Sequence, residues 1–124
     1  MTLKVLAIDD SRTIRSLVRR AMEEAGFSCM TADDGCDGVA VFDEVAPDVV
    51  ITDLNMPRMD GFGVIQAIRS GKHNRQVPIL VLTTESADEL KSRARAAGAT
   101  GWVVKPFEDQ VLVSLVRRIT GAPA

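Results

Sequence analysis

The sequence of 124 residues contains few of the side chains that build soft-metal, disulfide or aromatic sites: one histidine, two cysteines, one tryptophan and no tyrosine. Cys29 and Cys36 form no CxxC pattern and have no histidine cluster near them, so we expect reduced packing thiols. His73 lies in the polar stretch SGKHNRQ, where a solvated loop residue is expected. These absences argue against a zinc site and a disulfide framework.

Long apolar runs and a marked excess of one charge are also missing. The longest apolar runs fall well short of the roughly 18 residues that a membrane span needs. The N-terminal segment lacks the long apolar stretch of a signal peptide, so we expect a cytoplasmic protein. A formal charge of −2 gives no support for nucleic acid or an anionic membrane as a partner. We expect one domain, residues 1–124, that is monomeric.

Short apolar runs alternate with segments of helical periodicity along the chain. This alternation predicts an α/β fold, a parallel sheet with helices on both faces joined by right-handed crossovers. The run 27–32 is more polar than the others, so we expect it near an edge. The predicted strands are 3–8, 27–32, 49–52, 77–82 and 102–104; the predicted helices are 12–25 after an N-cap at Ser11, 38–45 after a turn at Asp34-Gly35, 61–69, 87–97 after an N-cap at Ser86, and 108–119, with a frayed tail at 121–124.

Polar side chains follow the ends of four predicted strands. Asp9 and Asp10 follow the first strand, Asp53 the third, Thr83 the fourth and Lys105 the fifth. Because parallel strands end at one edge of the sheet, we expect these side chains to converge on one pocket. Neighbouring carboxylates repel by roughly 1–4 kcal/mol per pair. A hard, oxygen-binding cation such as Mg²⁺ would relieve that repulsion.

Asp53 is the candidate reactive residue of this pocket. With Mg²⁺ and Lys105 in place, the pocket could accept a dianionic phosphoryl group, and the Asp53 carboxylate would form an acyl phosphate. Lys105 and the metal would stabilise charge on the transferring oxygens, and the Thr83 hydroxyl could donate to one of them. Each residue alone has an ordinary explanation, such as a turn cap or a solvated lysine. Together they favour phosphoryl chemistry.

Four motifs at these positions resemble the receiver domains of two-component response regulators, most closely the single-domain chemotaxis type, the CheY-like proteins. The motifs are LAIDDS at 6–11, TDLNMPRMDG at 52–61, LTTES at 82–86 and GWVVKPF at 101–107. The resemblance covers residues 4–119. It implies a flavodoxin-like (βα)5 fold, a doubly wound five-stranded parallel sheet in the order 2-1-3-4-5.

The resemblance also implies roles for individual residues. Asp53 would be the phosphoacceptor, and the Lys105–Pro106 peptide would be cis. Thr83 and Trp102 would form the switch, although Trp102 stands where the family usually has Tyr or Phe, and core packing is the other interpretation of this side chain. The remaining implied roles are direct Mg²⁺ ligation by Asp10, Asp53 and the Asn55 backbone carbonyl, ligation by Asp9 largely through water, phosphoryl binding by Thr83 and Lys105, and modulation by Asn55 and Glu85.

The resemblance implies a signalling module, rather than an enzyme with an external substrate, that catalyses its own phosphorylation and dephosphorylation. Its expected partners are a chemotaxis-type histidine kinase, the flagellar motor switch protein and a phosphatase. The alternative is a phosphorelay intermediate or phosphate sink that exchanges phosphoryl groups with a histidine phosphotransfer protein. An aspartyl-phosphate hydrolase is disfavoured because Asn55 stands where such enzymes carry a second acid. A flavin protein is disfavoured because no phosphate-binding loop follows the first strand.

Overall fold

A computed structural model describes residues 2–122, in which five strands alternate with five helices. No helix in this range combines the length and apolar character that crossing a bilayer requires. The strands are Lys4–Ile8 (β1), Ser28–Ala32 (β2), Val49–Thr52 (β3), Ile79–Thr83 (β4) and Gly101–Val104 (β5); the helices are Arg12–Glu24 (α1), Gly35–Val45 (α2), Gly61–Arg69 (α3), Asp88–Ala97 (α4) and Asp109–Thr120 (α5).

The strands form one parallel sheet in the order β2-β1-β3-β4-β5, which confirms the expected flavodoxin-like topology. The more polar strand β2 lies at one edge, as predicted. The central strands β3 and β4 are buried at every position because helices cover both faces of the sheet. This order places the ends of β1 and β3 side by side.

Alternating residues of β1 divide the hydrophobic core into two halves. Val5 and Ala7 face the half that is completed by α1 and α5. Leu6 and Ile8 face the half that is completed by α2, α3 and α4. The two-residue period of a strand therefore fixes which helices pack on each face. Cys29 is free and buried, and Cys36 is free and partly buried.

Three helix starts differ from the sequence-based expectation, one of them by a single residue, since α5 begins at Asp109 rather than 108. Helix α2 begins at Gly35 rather than residue 38, because the Asp34 side chain accepts the Asp37 N–H at 2.9 Å and caps the helix. The prediction that Ser86 caps α4 is wrong. The N-cap is Ala87, which has no side-chain cap, and α4 begins at Asp88 with two acids in its first turn. Negative charge there stabilises the helix through its dipole.

Smaller differences occur at four strand starts and at the C-terminus. Strands β1 and β2 each begin one residue later than predicted, at Lys4 and Ser28. Strand β4 begins at Ile79, since Pro78 has no N–H to donate to a neighbouring strand. Strand β5 begins one residue early, at Gly101. Of the predicted frayed tail, the described residues Gly121 and Ala122 both donate to the Arg117 carbonyl and close α5. The rest of that tail, residues 123–124, lies outside the described residues.

Candidate functional site

Two acids are held side by side at the carboxyl edge of the sheet by backbone hydrogen bonds. The Asp53 N–H donates to the Ile8 carbonyl at 2.8 Å, and the Asp9 N–H donates to the Ala32 carbonyl at 3.1 Å. Each acid thus extends the parallel pairing of its strand by one residue. Both are buried, with exposed fractions of 4% for Asp9 and 8% for Asp53.

Asp10 joins these two acids to form a cluster of three carboxylates. Each residue has a carboxylate oxygen within 4.8 Å of those of the other two. Asp10 is exposed, so the cluster opens to solvent on its side. Hard oxygen donors at this spacing, at the mouth of a buried site, fit a magnesium ion and do not suit a soft metal. Asn55 lies two residues beyond Asp53 in the following loop, and its side chain is exposed.

Lys105 supplies the positive charge of the site. Its Nζ lies 2.8 Å from Asp9 Oδ2 and 3.5 Å from Asp53 Oδ2. Lys105 directly follows β5. Its side chain is only 11% exposed and extends into the cluster of acids. The Lys105 N–H donates to the Thr83 carbonyl at 2.8 Å, and the Lys105–Pro106 peptide is cis, as expected. One ammonium against three carboxylates leaves an excess of negative charge.

The two buried carboxylates differ in how their oxygens are used. Asp9 Oδ1 accepts the Ser11 N–H at 2.9 Å, while its Oδ2 accepts from Lys105. Asp53 Oδ1 accepts the Leu54 N–H at 2.7 Å, and its Oδ2 has only the longer contact with Lys105. Among the described residues, Asp53 Oδ2 is therefore the less engaged oxygen and the one available to an incoming group.

The environment raises the pKa of Asp53 above its ordinary value. Burial is the main cause, and the charge of Asp9 adds to it. The hydrogen bond from Leu54 and the charge of Lys105 oppose these effects. A cation near the cluster would favour the ionised form of Asp53, which is the form that can act as a nucleophile.

The residues expected to form a switch are connected through Glu85. Thr83, fully buried at the end of β4, accepts the Glu85 N–H at 3.3 Å with its hydroxyl oxygen. The indole N–H of Trp102 on β5 donates to the Glu85 carbonyl at 3.0 Å. The Trp102 side chain is partly exposed and also packs against the core half formed with α2, α3 and α4. Through Glu85, the β4–α4 loop is thus hydrogen-bonded to both Thr83 and Trp102.

Comparisons with known proteins identify the family of this chain. The profile of the family described as "Response regulator receiver domain" matches residues 5–117. The chain belongs to the response regulator receiver domain family. It is 33% identical over 118 residues to the chemotaxis protein CheY of Pseudomonas aeruginosa, covering 94% of this chain and 95% of that protein.

Solved structures show the same relationship for this receiver domain. The Vibrio cholerae chemotaxis protein CheY4 superposes with a TM-score of 0.92 at 42% identity, covering 96% of this chain and 99% of that one. A response regulator protein from Burkholderia multivorans has a TM-score of 0.81 at 45% identity, covering 100% of this chain and 98% of that one. The expected family is therefore confirmed, and the chain is a CheY-like receiver domain of phosphorylation-activated signalling.

A pair of salt bridges beside the site, which we call the Arg58 clamp, was not predicted from the sequence. Arg58, in the β3–α3 loop, pairs with Asp34 at 2.9 Å and with Asp37 at 2.9 Å. Its φ of 66° lies in the left-handed region, which few residues other than glycine adopt. Gly35 completes the contact, since a Cβ there would overlap the Met59 carbonyl oxygen. The start of α2 therefore packs directly on the loop that follows Asp53.

Proposed function

We propose that this receiver domain is a phosphorylation-activated response regulator that accepts a phosphoryl group on Asp53 from a histidine kinase. The observation that carries the proposal is the position of Lys105, whose ammonium lies between Asp9 and the less engaged oxygen of Asp53. A buried lysine at this place can bind a phosphoryl oxygen while the adjacent carboxylate attacks phosphorus.

In the proposed reaction, Asp53 Oδ2 forms a bond to phosphorus as the phosphorus–nitrogen bond of a phosphohistidine breaks. The electron pair of that bond returns to the imidazole ring of the kinase. Lys105 donates to a phosphoryl oxygen, and the Thr83 hydroxyl donates to another. Asp9, Asp10, Asp53 and the Asn55 carbonyl would hold Mg²⁺, which supplies charge neutralisation when bound.

The proposed response to phosphorylation passes through the β4–α4 loop. When the Thr83 hydroxyl turns to donate to the phosphoryl group, its contact with the Glu85 N–H changes, and Glu85 also holds Trp102. A shift from 1:99 to 99:1 between two states needs about 5.5 kcal/mol. Charge-assisted hydrogen bonds of roughly 1.5–3 kcal/mol each, to Thr83, Lys105 and backbone amides, could supply most of it. Asn55 and Glu85 would modulate the lifetime of the phosphoryl group.

For the output, we favour binding to the flagellar motor switch in chemotaxis. Similarity to two chemotaxis proteins over nearly the whole chain supports this choice. The proposed partners are a chemotaxis-type histidine kinase, the motor switch protein and a phosphatase. We further propose that residues 1–124 act as one receiver domain, monomeric and located in the cytoplasm.

Phosphorylation of the purified chain tests the chemistry. With Mg²⁺ and a small phosphodonor, intact-mass analysis should show one acid-stable, base-labile phosphoryl group. Asp53→Asn should show none, while Asp43→Asn, which removes an exposed acid from α2, should label like the wild type. Undiminished labelling of Asp53→Asn would refute the assignment of the phosphoacceptor.

A pull-down tests the output separately. The motor switch protein should be retained by the chain treated with an acyl-phosphate mimic and not by the untreated chain. Retention of a histidine phosphotransfer protein instead, with rapid return of the phosphoryl group, would replace the proposed output with a phosphorelay or phosphate-sink role.

A further inference from the structure

A groove of about 380 Å³ runs between α3 and α4, apart from the acid cluster. Its Arg69 end lies where α3 stops, near the Gly98 turn that ends α4. Because each helix returns from the carboxyl edge of the sheet, this end lies far from Asp53. The groove is lined by Phe62, Gln66, Arg69, Ser70, Arg93 and Ala97, which include two arginines and no acid.

Arg69 is a partly buried cation without a carboxylate partner in the described part of the chain. Its Nε and Nη2 donate to the Gly98 carbonyl at 3.0 and 2.8 Å, and its Nη1 donates to the Arg75 carbonyl at 2.6 Å. A guanidinium has five N–H groups, so two remain for another acceptor. Burial also lowers the pKa of Arg69 below its ordinary value.

Arg93 presents a second cation over the same groove. Its guanidinium carbon lies 3.8 Å from the centroid of the Phe62 ring, within the range of a cation–π contact, and the residue is exposed. No carboxylate within residues 2–122 lies within 4.0 Å of it, although Glu89 is one helical turn away. Phe62 and Ala97 supply apolar surface beside the two guanidinium groups.

We propose that this groove binds a short acidic and apolar segment of a partner protein. A carboxylate of the segment pairs with Arg69 and Arg93, and a neighbouring apolar side chain packs on Phe62 and Ala97. Charge complementarity is the basis of the assignment: two cations without counter-ions face one groove on a chain whose net charge is −2. A polyanion such as nucleic acid would meet the surplus acids of this chain, whereas a short segment contacts only the groove. The proposal is independent of the phosphoryl chemistry.

A binding experiment with the full chain tests this proposal. The probe is a labelled 12-residue peptide that alternates glutamate with leucine and phenylalanine; one control peptide carries lysine for glutamate, and another carries serine for the apolar residues. Amide chemical shifts of the ¹⁵N-labelled chain should move at Phe62, Arg69, Arg93 and Ala97 with the first peptide alone. Shifts confined to the acid cluster or to β5, or no shift at millimolar peptide, would overturn the proposal.

Two matched variants in α4 distinguish binding in the groove from general electrostatic attraction to the chain. Arg93→Gln should weaken peptide binding about tenfold, because one guanidinium of the pair is lost. Arg95→Gln makes the same charge change on the same helix outside the groove and should alter affinity less than twofold. Equal losses in the two variants would show non-specific attraction. Displacement of the peptide by equimolar inorganic phosphate or by an oligonucleotide would show a simple anion site and overturn the peptide assignment.

Discussion

The indole N–H of Trp102 donates to the backbone carbonyl of Glu85 at 3.0 Å, so the final strand of the sheet holds the loop that follows β4. The N–H of the same Glu85 donates to the hydroxyl of Thr83. A movement of the Thr83 hydroxyl would therefore change the position of Glu85, to which Trp102 is hydrogen-bonded. A phenylalanine at this position would pack in a similar way but could not make this hydrogen bond.

The fluorescence of Trp102 should report the modification of Asp53, because Trp102 is the only tryptophan of the chain. At saturating Mg²⁺, an acyl-phosphate mimic should change the emission of the wild type or its accessibility to a quencher. Thr83→Ala should weaken this response and leave Asp53 able to accept the group. Full modification of wild-type Asp53 without any change at Trp102 would mean that Thr83 and Trp102 are not coupled.

Replacing Trp102 tests the structural link itself. Trp102→Phe removes the hydrogen bond to Glu85, so the free energy of unfolding should fall by about 0.5–1.5 kcal/mol from that bond alone. Amide hydrogen exchange in the β4–α4 loop should become faster. Trp102→Tyr is the matched control, since its hydroxyl can still donate. Unchanged exchange in Trp102→Phe would show that the bond does not hold the loop.

Asp53→Asn should stabilise the metal-free protein at neutral pH. The pKa of Asp53 is raised in the folded state, mainly by burial, so the folded protein binds this proton more readily than the unfolded chain. The contribution of Asp53 to the stability of the wild type therefore falls as the pH rises above 3.8, and the variant lacks this contribution. The gain in the free energy of unfolding should stay below the roughly 1–4 kcal/mol by which two neighbouring carboxylates repel each other, because the attraction between Asp53 and Lys105 is lost as well.

Denaturant melts in a chelator at pH 4 and pH 7 measure this effect. The advantage of Asp53→Asn over the wild type should be larger at pH 7 than at pH 4. Asp43→Asn, an exposed substitution of the same kind, should show no such difference. An advantage that grows as the pH falls would mean that the sign of the Asp53 effect is wrong.

We expect Mg²⁺ to stabilise the wild type, because an ion held by the folded cluster would relieve repulsion among Asp9, Asp10 and Asp53. At about 100 times its Kd the ion would add about 2.7 kcal/mol to the free energy of unfolding. Asp10→Asn should raise stability without metal by about 1 kcal/mol and abolish the Mg²⁺ effect. Thermal melts with Mg²⁺ and with chelator measure both quantities, and an undiminished Mg²⁺ shift in the variant would remove Asp10 from the ligands.

Two glycine substitutions test the contact between α2 and the loop after Asp53. A Cβ on Gly35 would overlap the Met59 carbonyl oxygen, whereas a Cβ on Gly63 would meet the flexible Met59 Cγ at 2.7 Å. Gly35→Ala should therefore cost roughly 1–3 kcal/mol and slow the labelling of Asp53. Gly63→Ala should stay within about 1 kcal/mol of the wild type, because better helix propensity offsets the contact. Equal stability and labelling of the two variants would contradict this packing.

The strands and their positions in the sheet could be predicted because the apolar character of each segment reflects how deeply its strand is buried. The continuous apolar segment 77–82 predicted a strand buried on both faces, and the more polar segment 27–32 predicted a strand near an edge. The first residues of the helices were harder to predict, because several neighbouring residues have side chains that can cap a helix. Ser86 has a suitable side chain, but the extended backbone at Ala87 sets the start of α4 one residue later.

The charged groups of the site could be foreseen because a parallel sheet gathers its strand ends, and the structure brings Asp9, Asp10, Asp53 and Lys105 together. The clamp by Arg58 could not be foreseen. It joins residues 24 positions apart and depends on a left-handed backbone that no pattern around an arginine indicates. Contacts made by an unusual backbone conformation are not encoded in periodicity or charge spacing.

Asp9 and Lys105 are separated by 96 positions in the chain. On the ribosome, the acids of β1 and β3 emerge long before the lysine that balances them, because β5 is the last strand. A chain interrupted before residue 105 therefore carries the carboxylates without their ammonium. Under the proposed chemistry, the cation that would bind the phosphoryl group is therefore added only when the last strand of the sheet has been made.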